Sequence, residues 1–330
     1  MDLTAILNPF GISEPAEFSE LKGGHINSTF LAVCPEGRFV VQALNNSVFS
    51  EPDNIMHNIS AVAALFSEQA ADSILLPHYL SAGESMWVES DGAFWRVYEY
   101  IDCAPPTMPY NCCFLAGRAF GVFMRVAGSR KIKLRPALPG YHDFGAYFAK
   151  LNSAMASASM KKLDGAVINR LSSLNDTLAQ VFTADFPKRV IHGDAKPDNI
   201  IIGSPSAVID LDTVMDGYAA LDFGDLVRSV CRGNDNDMSA VRDVARGFAN
   251  GLEGALSGDE VHSLYYGILW STGELAVRYL TDYLTQEGYF RDKSPAQCLS
   301  RANELLLLLS RFIAHGDEIT ELIYECFRNN

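Results

Sequence analysis

The segment 190–212, VIHGDAKPDNIIIGSPSAVIDLD, constrains this chain more than any other. Two runs of branched apolar residues, 190–191 and 200–202, bracket a loop that is polar at most positions. A third apolar run, 207–209, ends on Asp210. Short apolar runs bounded by Gly, Pro, Asp and Ser read as buried strands. The segment therefore predicts strand, loop and strand, followed by a strand end that returns an aspartate. Asp, Asn, Pro and Gly would by themselves describe a surface turn. A turn accounts neither for the apolar strands on both sides nor for the second aspartate.

Away from this segment the character of the chain changes near residue 101. Before it, strand signals dominate. Runs at 18–22, 29–34 and 38–44 are punctuated by Gly23-Gly24 and by Pro35-Glu36-Gly37. Runs at 85–89 and 94–100 flank Asp91-Gly92, a two-residue hairpin signal. A helix is expected over 55–66. After residue 101, helical periodicity dominates at 111–126, 144–151, 166–181, 262–284 and 296–314. The last opens with Ser294, Pro295 and Gln297, an N-cap, a first-turn proline and a capping-box partner. The expected fold is α+β: a small antiparallel-sheet N-lobe over 1–101 and a larger, mainly helical C-lobe over 102–330. The C-lobe carries the polar loop and the acceptor site.

The loop places Asp194, Lys196 and Asn199 together, with Asp210 delivered from the next strand. Phosphoryl transfer to an alcohol needs these residue types. A carboxylate orients the hydroxyl and accepts its proton, and oxygen ligands hold Mg²⁺ against the triphosphate. The spacing repeats the D-x-K-x-x-N order of kinase catalytic loops, with Asp210 in the place of the metal-binding aspartate. His192, at a strand end, is expected to brace the loop. Asp222-Phe223-Gly224-Asp225 spells the metal motif of protein kinases but lies too far beyond Asn199. It is expected to open the next helix and anchor the loop, with Arg228 nearby. Between the first two strands, Gly23, Gly24, His25, Asn27, Ser28 and Thr29 supply a tight turn and side-chain donors suited to phosphate oxygens. Gln42 stands where kinase-like folds carry a strand lysine, and 56–59 offers no glutamate partner for one.

His192-Gly193-Asp194, Asn199 and Ile209-Asp210 resemble the signature of the aminoglycoside phosphotransferase and choline kinase superfamily. That resemblance implies a protein-kinase-like bilobal fold with ATP between the lobes. It implies Asp194 as catalytic aspartate, Lys196 stabilising the transferring phosphoryl group, and Asn199 and Asp210 as Mg²⁺ ligands. Gly23, Gly24, Asn27, Ser28, Thr29, Gln42, Glu99 and Ile101 would form the nucleotide set. Within the superfamily, Gly24-His25-Ile26-Asn27, Gln42-Ala43-Leu44-Asn45, the run LPGYHD at 138–143, IDLDTVM at 209–215 and RYLTDYL at 278–284 look like the N-acetylhexosamine 1-kinase group. This implies transfer to the anomeric hydroxyl of GlcNAc or GalNAc. His25, His142, Asp143, Asp212, Tyr218 and Arg278 are candidates for sugar contact, with Arg301 a weaker one. His142-Asp143 would equally serve to cap the helix that follows.

Composition narrows the partners. With 48% hydrophobic and 20% charged residues, the 330-residue chain is expected to bury a sizeable core. A formal net charge of −14, with no cluster of Lys and Arg, argues against nucleic acid and anionic membrane as partners. The first ten residues lack the basic residues of a secretory signal, and no apolar run is long enough to span a bilayer. Seven cysteines without metal spacing fit a cytoplasmic protein with thiols and no zinc. Two alternatives stay open at this point. One is a kinase of a cationic alcohol such as choline, homoserine or an aminoglycoside. The other is a non-catalytic nucleotide-binding protein.

Overall fold

The computed structural model describes residues 3–21, 27–46, 49, 51–68, 74–105, 111–157, 163–232, 237–290 and 293–328. In chain order its elements are α1 (Leu3–Leu7), β1 (Glu17–Glu20), β2 (Ser28–Cys34), β3 (Gly37–Leu44), α2 (Pro52–Glu68), β4 (Val88–Ser90), β5 (Ala93–Glu99), α3 (Cys112–Ala127), α4 (Phe144–Ser157), α5 (Gly165–Val181), β6 (Arg189–Ile191), β7 (Ile200–Ile201), β8 (Ala207–Val208), β9 (Met215–Gly217), α6 (Ala219–Val230), α7 (Asp237–Leu252), α8 (Gly258–Thr285), α9 (Pro295–Ala314) and α10 (Gly316–Arg328). The architecture is α+β, as the sequence predicts. The chain divides into two compact units. The first comprises Met1–Pro109, Ser129–Pro139 and Ile200–Met215; the second comprises Tyr110–Gly128, Gly140–Asn199 and Asp216–Asn330.

In the first unit, five antiparallel strands form a sheet in the order β1-β2-β3-β5-β4. Asp91 and Gly92, both at positive φ, close the β4–β5 hairpin in two residues. The strand expected over 85–89 is shorter and later, because Ala82 and Ser85 bond each other's backbone in a tight turn of their own. Side chains alternate along each strand. Phe39, Val41, Trp95 and Val97 pack against Ile6, Leu7, Phe10 and Ile12 of the N-terminal segment. Alternation places Val40, Gln42, Arg96 and Tyr98 on the opposite face. Helix α2 opens at Pro52, where the missing N–H costs nothing, and buries Ile55, Ile59 and Val62. Its buried Asn58 donates to the carbonyls of Arg135 (2.9 Å) and Val214 (3.2 Å) and accepts from the N–H of Arg135 (2.8 Å). Leu75 bonds Ser206 and Val208, beside the β7–β8 ladder. These bonds hold the strip carrying Asp210 in the sheet-bearing unit, although it lies a hundred residues beyond that sheet in the chain.

The second unit is helical apart from the short β6–β9 ladder. Helix α8, 28 residues long, packs against α6, α9, α4 and α5. It starts on a capping box between Ser257 and Glu260, and α9 starts on the expected one between Ser294 and Gln297. Phe120, Phe123, Phe223, Phe248 and Phe312 are fully buried in this unit. Among the described residues, no helix is long and apolar enough to cross a membrane.

Candidate active site

Strand β6 carries the chain into the unit's interior and stops at His192, whose side chain is fully buried. The imidazole lies edge-on to Phe120 and Phe123 of α3, at 5.3 and 5.6 Å between ring centres. Gly193 follows at φ +81°, a left-handed conformation that costs glycine little. The Asp222 carboxylate of α6 then accepts two successive backbone N–H groups, from His192 (2.7 Å) and Gly193 (2.8 Å). Helix α6 begins at Ala219, three residues before the DFG-like run, so the run lies within the helix and does not open it; its first aspartate anchors the loop, as the sequence predicts. Burial raises the Asp222 carboxyl above the usual range against the pull of these donors.

The loop closes on Asp194. Its Oδ2 accepts from Lys196 Nζ (2.6 Å) and from Asn199 Nδ2 (3.0 Å), and its carbonyl also accepts from Asn199 Nδ2 (2.8 Å). Burial pushes this carboxyl up, but Lys196, His192 and Asn199 outweigh burial and hold it below the ordinary value. Asp194 is therefore an ionised acceptor with a fixed direction. Three residues named from sequence spacing are brought together here: Asp194, Lys196 and Asn199.

A second layer reaches the loop through His142. Its Nε2 meets the Gly193 carbonyl at 2.7 Å, and its Nδ1 meets Glu274 of α8 at 3.4 Å. Both partners are acceptors, so both ring nitrogens donate and the ring is an imidazolium. Burial opposes that charge. Glu274, the Gly193 carbonyl and Asp225 overcome burial and raise the His142 pKa to about 9. Glu274 also accepts from Trp270 Nε1 (3.0 Å) and faces Arg278 (3.6 Å). The Arg278 guanidinium lies 5.0 to 5.7 Å from the ring centres of Tyr141, Tyr147 and Tyr289 and bonds the Tyr289 hydroxyl. Its Nε is buried and has no hydrogen-bond partner among the described residues. The phenol of Tyr141 is pushed up first by burial and next by the charge of Asp194, so this wall lies within electrostatic reach of the loop. Asp282, one turn of α8 beyond Arg278, accepts from the N–H groups of Tyr289 and Phe290 (3.0 and 3.1 Å).

The His142 ion pair makes stability depend on pH in a definite direction. A histidine pKa raised on folding stabilises fully below its unfolded value of about 6.5, and the stabilisation is lost as pH rises through 9. The shift corresponds to about 3 kcal/mol. His142 sits at φ +57°, a conformation asparagine tolerates, so His142→Asn tests the ring without straining the backbone. Urea unfolding should show the variant less stable by 2 to 3 kcal/mol at pH 6 and by under about 1 kcal/mol at pH 10. A gap that is constant with pH would mean that the ring is neutral in the folded protein.

The first unit gathers a separate set of polar groups. Asn27 Nδ2 donates to Asp212 Oδ2 (2.9 Å), and Asn27 Oδ1 accepts from the Asn45 N–H (3.1 Å). Gln42 Nε2 donates to Thr29 Oγ1 (3.1 Å). Gln42 Oε1 accepts from Arg96 Nε (3.1 Å) and Nη2 (2.8 Å), while Arg96 Nη1 donates to Asp212 Oδ1 (2.5 Å). Arg96 and Asp212 are 0% and 2% exposed. Asp210 stands two residues before Asp212, at φ +63°.

Gly23, Gly24 and His25 fall outside the described residues. Ser28 is exposed at the start of β2. Glu99 ends β5 on the surface, 3.2 Å from His78, and Ile101 follows half-buried. Asp143 accepts from the Ala146 N–H (2.9 Å), the capping role weighed above. Tyr218 precedes α6 and packs against Phe182, Phe186 and Trp270. Arg301 is paired with Glu304. Sequence reasoning passed over Arg96, Asn58 and the tyrosines around Arg278. The one available signal for Arg96 was its rarity, since residues 1–100 hold three basic and thirteen acidic residues.

The donor chemistry suits Mg²⁺. With its amide nitrogen committed to Asp194, Asn199 carries an amide oxygen of the kind Mg²⁺ takes, and Asp210, in the first unit, is a carboxylate of the kind it takes. Mg²⁺ is commonly held by one or two protein oxygens together with substrate phosphates and water. Such a site needs no cage of three or more His, Cys, Asp or Glu side chains, and none occurs among the described residues.

Residues 17–257 match the sequence profile of the Phosphotransferase enzyme family (APH). Among solved structures, the chain is similar to a microcompartment-associated aminopropanol kinase, at 17% identity over 93% of this chain and 95% of that one, TM-score 0.68. It is similar to a choline/ethanolamine kinase family protein from Mesorhizobium loti, at 15% identity over 99% and 97%, TM-score 0.65. It is also similar to a spectinomycin phosphotransferase solved with ADP and spectinomycin, at 14% identity over 96% and 94%, TM-score 0.57. These likenesses establish the protein-kinase-like fold.

Proposed function

The chain belongs to the phosphotransferase enzyme family, and on that premise we propose that it transfers the γ-phosphoryl group of ATP to a sugar hydroxyl, the anomeric hydroxyl of an N-acetylhexosamine. Asp194 orients the hydroxyl and takes its proton as the new O–P bond forms and the bond from the γ-phosphorus to ADP breaks. Lys196 holds the carboxylate in line and spreads positive charge toward the transferring group. Asn199 and Asp210 are the Mg²⁺ ligands; the ion, when bound, neutralises phosphate charge. Asn27, Ser28, Thr29, Gln42, Glu99 and Ile101, with Gly23 and Gly24, make up the nucleotide set.

The observation that carries the choice of acceptor is the charge of the wall behind Asp194. Arg278 and the His142 imidazolium share one carboxylate, Glu274. A cationic alcohol seeking Glu274 meets a carboxylate already shared by two cations, Arg278 and His142. The aromatic group nearby, Phe182, Phe186, Tyr218 and Trp270, is packed ring against ring, so it supports no cage for a quaternary amine. A neutral polyol suits Arg278, whose Nε is a spare donor. His142, with both ring nitrogens bonded to protein, supports the sugar site through Gly193 and Glu274, and Arg278 is the direct contact; Asp212, named from the sequence for the same role, is spent on Asn27 and Arg96 within the first unit.

An ADP-release assay with GlcNAc, GalNAc, choline, ethanolamine, aminopropanol, homoserine and an aminoglycoside tests this reading. Turnover of the N-acetylhexosamines is expected, with phosphorus NMR placing the phosphate on C1. Turnover of the amino alcohols or the aminoglycoside alone would overturn the sugar assignment. ATP binding without turnover of any acceptor would leave a nucleotide-binding protein.

A further inference from the structure

Gln42 and Arg96 are direct cross-strand partners in the β3–β5 ladder. A lysine at position 42 would stand opposite a fully buried guanidinium, with like charges in contact. The absence of the strand lysine and the presence of Arg96 are therefore one feature. The helix side agrees. Where kinase-like folds carry the glutamate of αC, α2 brings Met56, whose Sδ lies 3.8 Å from Arg96 Nη1. Helix α2 is held instead by the uncharged Asn58, bonded to Arg135 and Val214. The ion pair has moved from strand and helix to strand and the 210–214 turn.

On the kinase reading above, we infer that Arg96 is a positioning residue: its bond to Asp212 sets the turn that presents the Asp210 carboxylate to the metal ion. Arg96 does not touch phosphate. It is 0% exposed, and Nε, Nη1 and Nη2 are all committed, to Gln42 and Asp212. The bonds run from Thr29 on β2 through Gln42, Arg96, Asp212 and Asn27 to Asn45. This circuit spans three strands and ends on Asn27 and Asn45. Asp210, at φ +63°, is the cap of the single turn Leu211–Thr213 that contains Asp212, so one intervening residue links the Arg96-bound carboxylate to it. A guanidinium suits this task because its flat fork holds two acceptors in fixed directions.

The test is ADP binding measured calorimetrically with and without Mn²⁺ as the probe ion. The double variant Arg96→Met/Asp212→Asn removes both charges, so neither is left buried alone. The enhancement of ADP binding by Mn²⁺, taken as the ratio of its affinities with and without the ion, should fall at least tenfold in this variant. A role confined to stability would lower the melting temperature and leave the Mn²⁺ enhancement unchanged; that result would overturn the inference. If the double variant does not fold, Arg96→Lys decides. Lysine keeps the charge but cannot hold Gln42 and Asp212 together, so the Mn²⁺ enhancement should fall at least threefold; an unchanged enhancement rejects the inference. Failure of the kinase reading looks different, because the parent itself would then show no Mn²⁺-enhanced ADP binding.

Discussion

Asp194→Asn should lower kcat by about 10³-fold and leave the acceptor KM within about threefold. The amide keeps the size of the carboxylate but cannot accept the hydroxyl proton. The loss belongs to the transition state, where that proton moves, and hardly to ground-state binding. The surroundings sharpen the expectation. Lys196 and Asn199 both point donors at Asp194 Oδ2, so an asparagine that keeps its oxygen there keeps the loop intact. Melting temperature should then move little. Because the carboxyl is held below its ordinary value, the acid limb of kcat should lie below the range of an ordinary aspartate. Steady-state kinetics on whichever acceptor is turned over is the check. An unchanged kcat removes Asp194 from the chemistry, and a large rise in KM alone would make it a binding residue.

The second large effect concerns stability. Gly267→Ala should cost more than about 3 kcal/mol, and Gly224→Ala a similar amount. A Cβ at Gly267 would lie 1.9 Å from the Ala220 carbonyl oxygen, and one at Gly224 would lie 2.0 Å from the Gly267 carbonyl oxygen. Helices α6 and α8 cross with backbone on backbone, and no side-chain rotation relieves the clash. The two helices must separate or the unit must unfold. Either outcome moves Asp222, two residues from Gly224, and with it the N–H groups of His192 and Gly193 that it holds. Stability and turnover should therefore fall together, read by calorimetry and by the same kinetic assay. This pattern also separates the helical role of the DFG-like run from a metal role. A metal-motif glycine replaced by alanine would lose activity while the melting temperature stayed put. A melting temperature within about 2 °C of the parent for both alanine variants would refute the tight crossing.

Much of the 192–199 loop was legible because its information is local. Asp194, Lys196 and Asn199 lie within six residues, and their spacing between apolar runs dictates that they share a turn. The same holds for the Asp91-Gly92 hairpin and for the capping box that opens α9. Asp222 was legible as an anchor because it lies too far along the chain to join the loop's own turn. Arg96 was not legible. Its meaning depends on facing Gln42 across a ladder, and the two are 54 residues apart with a helix and another strand between them. His142 was read as a sugar contact or a helix cap. Only the packed structure shows its two nitrogens spent on Gly193 and Glu274, residues 51 and 132 positions away.

Sequence pattern alone was enough to group Asp194, Lys196 and Asn199 in one loop between apolar strands, because periodicity, turn residues and short spacings act within a few residues of one another. The tertiary structure alone decided which charges meet. It drew the strip holding Asp210 and Asp212 to the sheet-bearing unit, matched Asp212 with Arg96, and set Glu274 between His142 and Arg278. A buried charge is stable only beside a partner, and the choice of partner is made by packing over long stretches of chain that no local pattern encodes.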